Sequence, residues 1–444
     1  MGGVLDSPGF PAETRHGTAP ERACPDRRGA SPGARFARAS TALFVALCLL
    51  GSARALYLFV TWPGMNLYPR ARFGATIHGR CDRPFVQRVL VPWTVRAVTV
   101  VMPEGTRGKV AGIVRALVGS DPRLAYARDY PVEFGLTVIL LFGCLIGFAF
   151  ALRRLARMML GPPDWQVYVV PVVALVMLPG MYTYMNYVYD LPNLFLFTLG
   201  LVFIASHSRA FFPLFVIATV NKETALLLTL VWVLENRKRL PSRSLARGVG
   251  IQVLAWLVVR GAIGFIYRHN PGDAIEWHLP RNLATFSKVV HSPFDGTLLS
   301  QVRLHWPAAL GLLVLAALLL SLRRAPRFLR YAACVGIPIL VMSVFFSFME
   351  ELRIYYELYP TALLILASGA ASLLGRRDVA QPDGLRPRGS EPSGESGALP
   401  ICLSDVKARH DKMVELVENR SSLDSCIAHR GVRGTGNGHV THFR

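Results

Sequence analysis

Apolar residues gather into long runs along this chain, and polar residues fall between them in short, arginine-bearing stretches. Runs long enough to cross ~30 Å of hydrocarbon as helices occupy residues 41–62, 134–152, 165–181, 191–206, 246–267, 307–322, 328–348 and 355–374. A further stretch, 211–234, is interrupted at its middle by Asn221-Lys222-Glu223. The pattern predicts an all-α, polytopic transmembrane helical bundle of about eight full spans plus a broken-helix hairpin. The bundle covers residues 41–375, with long loops at 63–133 and 268–306. The flanking tails, 1–40 and 376–444, are rich in Gly, Pro, Ser and Arg without periodicity, and read as disordered. Ala53-Arg54-Ala55 imitates a signal-peptidase site, but the apolar run continues to Trp62, so the first span reads as an uncleaved anchor.

Short-loop charges set the expected orientation. Arg153, Arg154 and Arg157 follow one run, and Arg237, Lys238, Arg239, Arg243 and Arg247 follow the broken stretch. Arg323, Arg324 and Arg327 separate two later runs, and Arg376 and Arg377 close the last. Placing these inside puts both termini in the cytoplasm. Arg209 and the Arg237 cluster then lie on the same side of 211–234. That holds if the stretch turns back at Asn221-Lys222-Glu223; the other reading is one continuous helix with a buried Lys–Glu pair.

Composition narrows the class. The 444 residues are 52% apolar and 17% charged, and mean hydropathy is +0.36; a soluble domain carries about a quarter charged residues. The net charge of +21 suits cytoplasmic loops and anionic lipid as well as nucleic acid. The long apolar runs decide for membrane lipid and against nucleic acid. Cys48, Cys144 and Cys334 lie in apolar runs, while Cys81 stands alone in a loop; no C-x-x-C or Cys/His spacing occurs. No cofactor is indicated, and a requirement for a divalent metal stays open. Walker A, G-x-G-x-x-G, G-x-S-x-G and H-E-x-x-H motifs are all lacking, which weighs against ATP-driven or hydrolytic chemistry.

Ionisable residues at a membrane boundary are functional candidates by default, and here they fall in four groups on the expected outer side. The first lies in the long loop, Arg80-Cys81-Asp82-Arg83-Pro84-Phe85-Val86-Gln87-Arg88. From Phe85 to Met102 the pattern fits an interfacial amphipathic helix with Arg88 and Arg96 near its polar side. Guanidinium grips phosphate bidentately; snorkelling to headgroups is the simpler reading of each arginine alone. Tyr182, Tyr184, Asn186, Tyr187, Tyr189 and Asp190 form the second group, either an aromatic belt with a helix cap or a binding surface. The third is Asn221, Lys222 and Glu223; the chain has only six lysines, and Lys222 alone lies inside an apolar stretch. The fourth is Glu350, Glu351, Arg353 and Glu357, of which Glu350, Arg353 and Glu357 share one face if helical. Arg260, inside a span, either snorkels or lines the same cavity. The histidines of the second long loop, His278, His291 and His305, read as surface residues.

Pro84-Phe85-Val86-Gln87-Arg88-Val89-Leu90-Val91-Pro92-Trp93, Tyr189-Asp190-Leu191-Pro192, Asn221-Lys222-Glu223-Thr224 and Glu351-Leu352-Arg353 occur in that order. Over residues 40–375 this constellation resembles the GT-C superfamily of membrane glycosyltransferases, in an uncharacterised bacterial branch. The resemblance implies transfer of a sugar from a polyprenyl-phosphate carrier to an acceptor hydroxyl at the extracytoplasmic face. It also implies a catalytic carboxylate in the first outer loop, a role falling on Asp82, with Arg83 where the family's second acid would stand. Arg88, Tyr189, Asp190, Asn221, Lys222, Glu223, Arg260, Glu350, Glu351 and Arg353 become the expected contacts of the lipid-linked sugar donor. A glycolipid or small-molecule transporter or flippase, and a non-catalytic membrane scaffold, are the alternatives.

Overall fold

The computed structural model describes residues 32–160, 165–182, 185–273, 275–284, 313–348 and 351–373. Residues 1–31, the tail 376–444, most of the 268–306 loop and Glu350 therefore lie outside the described residues, and a helix takes in residues 32–40 of the expected N-terminal tail. All those described belong to the first of two compact units of the chain, Met1–Val379.

Helix is the only regular secondary structure among the described residues, with no strand among them. Numbering the helices of ten or more residues gives α1 (Pro32–Phe59), α2 (Leu90–Val101), α3 (Glu104–Val118) and α4 (Pro131–Leu160). Next come α5 (Gln166–Met177), α6 (Asp190–Ala205), α7 (Phe211–Asn221) and α8 (Leu227–Asn236). The last are α9 (Ser242–Ile266), α10 (Leu313–Leu322), α11 (Arg327–Phe346) and α12 (Tyr359–Leu373).

Helix α4 is the post around which the others stand, touching α1, α2, α3, α5, α6 and α12. Its sequence explains its length. Pro131 opens the helix where no amide partner is needed, Glu133 sits at the positive end, and Arg157 at the negative end. Between them Leu141, Leu145, Phe148, Leu152 and Leu155 recur at helical spacing and are buried together.

Four helices are long and apolar enough to cross a bilayer: Ser40–Gly64, Pro131–Leu160, Ser242–Ile266 and Arg327–Phe346. In α9 the apolar residues Leu254, Leu257, Val258, Phe265 and Ile266 are exposed, an outward surface that suits lipid and not water. The chain is thus a membrane protein by composition and surface, with four such spans among the described residues where about eight were expected. The difference is one of helix length. Asp190–Ala205 has 16 residues, about 24 Å at 1.5 Å per residue. Expected span 165–181 becomes α5 with Pro171 inside, finished by a tight turn at Leu178–Met181.

The interruption of 211–234 is where the polar triplet placed it. Helix α7 ends at Asn221, Lys222 is fully extended (φ −157°, ψ 143°), and a tight turn at Glu223–Leu226 leads into α8. One continuous helix is therefore excluded. Both halves pack on α6 and α9.

Candidate functional site

Helices α6, α8 and α12 begin, and α7, α9 and α11 end, around a cavity of about 450 Å³. Its charged lining residues include Arg88, Lys222, Glu223, Arg260, Glu351 and Arg353, and its apolar ones Ile339, Met342, Phe346 and Phe348. All four sequence groups thus contribute lining side chains, the second through Tyr187. Tyr189, Asp190 and Asn221 lie directly behind them.

Arg88 departs from the amphipathic helix expected over Phe85 to Met102. Phe85–Gln87 is a single tight turn, Arg88 is non-helical (φ −102°, ψ 76°), and α2 starts only at Leu90. The corner swings the guanidinium inward, where it donates to the Tyr189 hydroxyl and to both carboxylate oxygens of Glu223, at 2.6 and 3.3 Å. Arg260 reaches the same carboxylate at 3.6 Å. It also donates to the Gln87 backbone oxygen at 2.9 Å and to its side-chain oxygen at 3.1 Å. Arg260 therefore lines the cavity and does not snorkel.

The tyrosines are no aromatic belt. Tyr187 and Tyr189 are buried and stack with centroids 5.3 Å apart, and Phe85 extends the stack at 5.2 Å from Tyr187. Arg353 lies 4.2 Å from the Tyr187 ring and Arg88 4.4 Å from that of Tyr189, so the ladder holds two cations on π faces. Asp190 is not an N-cap either. One carboxylate oxygen accepts from the Tyr187 amide at 2.9 Å, and the other stands 3.6 Å from Arg353.

Arg353 and Glu357 lie on no common helix, and Glu350 lies outside the described residues. Leu352–Tyr355 is a tight turn that breaks the spacing. Ion pairs across elements replace the expected pairs along one helix. Arg353 meets Glu351 at 2.7 Å. Burial opposes its charge, but the Glu351 and Asp190 carboxylates outweigh that and hold its pKa well above the usual arginine value. Glu357 accepts from Asn193 at 2.9 Å, Lys222 at 3.0 Å and Thr224 at 2.5 Å, all on one oxygen. Asn221 donates to the Tyr189 backbone oxygen at 3.0 Å, tying the end of α7 to the start of α6.

Asp82 stands beside the cavity without lining it. Its carboxylate pairs with Arg70 at 2.8 Å, Arg70 pairs with Glu276 at 2.5 Å, and Glu276 lines the cavity with His278 at 3.3 Å. The Asp82 hydrogen bond, ahead of all other influences, raises the Arg70 pKa. His278 packs on Phe348 with centroids 4.1 Å apart and is a cavity residue. Glu276, His278, Asn193 and Thr224 were not singled out as site residues from sequence. The signal for Asn193 and Thr224 was polarity beside Asp190 and Lys222; for Glu276 and His278 there was none.

Among the described residues, no group of three or more His, Cys, Asp or Glu converges as a metal site. No family model, curated protein or solved structure matches the chain.

Proposed function

We propose that this chain is a membrane-embedded glycosyltransferase that takes a sugar from a polyprenyl-phosphate carrier and delivers it to an acceptor hydroxyl at the extracytoplasmic face. The observation that carries this reading is the mixed lining of the cavity. Ile339, Met342, Phe346 and Phe348 share it with three guanidiniums and one ammonium. An isoprenoid phosphate has this division of character, and guanidinium is suited to its phosphate oxygens. Cations aimed at the leaving phosphate stabilise charge developing as the sugar departs. Glu223, Glu276 and Glu351 supply carboxylates within the cavity for acid–base work. Asp82 serves this chemistry by fixing Arg70, and through it Glu276.

The test uses purified protein in nanodiscs. Undecaprenyl phosphate should bind while undecaprenol does not, and labelled hexose should pass from undecaprenyl-phosphate hexose to added acceptor alcohols. Equal binding of both lipids, or no transfer with any donor hexose, overturns the reading. The break at Lys222 favours a second reading, a glycolipid transporter; movement of the intact donor across the bilayer without sugar release would support it.

A further inference from the structure

The cavity's cations are all committed, but not equally. Lys222 is held by Glu357, whose side chain is 0% exposed, and Arg353 by Glu351 and Asp190, at 3% and 1%. Glu223, which holds Arg88 and Arg260, is 28% exposed. It is the most exposed carboxylate of this set, and so the one a ligand can most readily reach and replace.

The two guanidiniums have anchors besides Glu223. Arg88 is anchored by the Tyr189 hydroxyl and ring, and Arg260 by two oxygens of Gln87. The Glu223 main chain is fixed separately, its carbonyl accepting from Trp256 at 3.0 Å. Rotation of the Glu223 side chain alone would leave two oriented guanidiniums facing the cavity, a ready site for a tetrahedral oxyanion.

We infer that Glu223 is an internal stand-in for the donor phosphate, and that donor binding displaces its carboxylate into the cavity, where it becomes the base. This rests on the transferase reading and names the binding order and the base of the same site. The released carboxylate takes the proton of the acceptor hydroxyl as the acceptor oxygen bonds to the anomeric carbon. The bond from that carbon to the phosphate oxygen breaks, and its electron pair stays on the phosphate held by Arg88 and Arg260.

The test combines a variant with a measurement on the unaltered protein, both in nanodiscs. Glu223→Gln removes the competing anion and the base together. Undecaprenyl phosphate should then bind about tenfold tighter or more, the scale of one charged hydrogen bond, with undecaprenol unaffected. Hexose transfer should fall about 10²–10⁴-fold. A folded variant that binds undecaprenyl phosphate no better than wild type makes the contact a structural ion pair and overturns the stand-in. Tighter binding with undiminished transfer overturns the base. In the wild-type protein, carbodiimide labelling of Glu223 should rise severalfold with undecaprenyl phosphate and stay level with undecaprenol; no rise refutes displacement even if the variant does not fold. Absence of transfer in the wild type removes the transferase reading, while the labelling and binding arms still decide displacement.

Discussion

Replacing Glu357 with glutamine keeps the shape of the side chain and removes one charge from the most enclosed ion pair of the site. Lys222 and Glu357 are 3.0 Å apart with side chains 8% and 0% exposed. Unit charges at that separation attract by about 5 kcal/mol at an effective dielectric constant of 20. Removing one partner of a buried pair costs about 3–5 kcal/mol, because the other charge stays buried and uncompensated. The glutamine oxygen can still accept from Asn193 and Thr224, so the loss is electrostatic. At about 2–4 °C per kcal/mol, the apparent Tm in detergent micelles, followed by tryptophan fluorescence, should drop by about 6–20 °C. Lys222→Met combined with Glu357→Gln should recover most of that drop, since the orphaned ammonium is gone. If Glu357→Gln melts with the wild-type protein, or the double variant is no better than the single one, the pair does not hold the break between α7 and α8 as described.

Three further outcomes follow from the packing around the site. Gly272 has φ +85°, and a Cβ there would lie 2.8 Å from both Arg70 Nη2 and the Arg83 carbonyl. Gly272→Ala should therefore cost about 1–3 kcal/mol and lower the Tm, with transfer falling as the Arg70–Glu276 contact shifts. A Cβ on Gly248 would lie 2.3 Å from the Trp232 ring, so Gly248→Ala should destabilise by about 1–3 kcal/mol through overpacking of α8 against α9, read as a lower Tm with ligand affinity retained. Burial pushes the Cys81 thiol up to about 11, leaving about one thiolate in a thousand at pH 8. Maleimide should modify Cys81 only after unfolding, and fast labelling of Cys81 in the folded protein, located by peptide mapping, would contradict its burial.

Much of the site was legible because a polar residue inside an apolar run is costly, and such residues mark themselves. Lys222 and Arg260 were found that way, Asp190, Glu351 and Arg353 by their place at the boundaries of such runs, and the structure brings them together with Arg88. What could not be read was direction. Periodicity assigns a face only while the helix lasts, and Arg88 and Arg353 both sit where it stops. Arg88 therefore turned inward from a segment expected at the interface, and the spacing of Arg353 with Glu357 lost its meaning. Tyr187 and Tyr189 carry the composition of an interfacial belt, yet their stacking depends on Phe85, some hundred positions earlier in a chain with no local signal linking them. Of the expected spans, four are long enough among the described residues; apolar run length bounds a helix from above, and Pro171, Pro179 and the turn at Leu178–Met181 shorten what one run allows.

The balance of charge in the cavity has its own logic. A membrane protein that recognises phosphate needs guanidiniums facing a low-dielectric space, and bare cations there are expensive before any ligand arrives. Pairing each with an internal carboxylate removes that expense but creates a competitor for the ligand. Deeply buried partners such as Glu357 and Asp190 are poor competitors to displace, since they would have to move through packed side chains. They serve instead to fix Lys222 and Arg353 and to set the potential of the wall. A partner at the cavity surface, as Glu223 is, can give way by rotating one side chain. The graded exposure of these carboxylates thus separates the cations into a fixed set that shapes the field and a pair, Arg88 and Arg260, that an incoming anion can win.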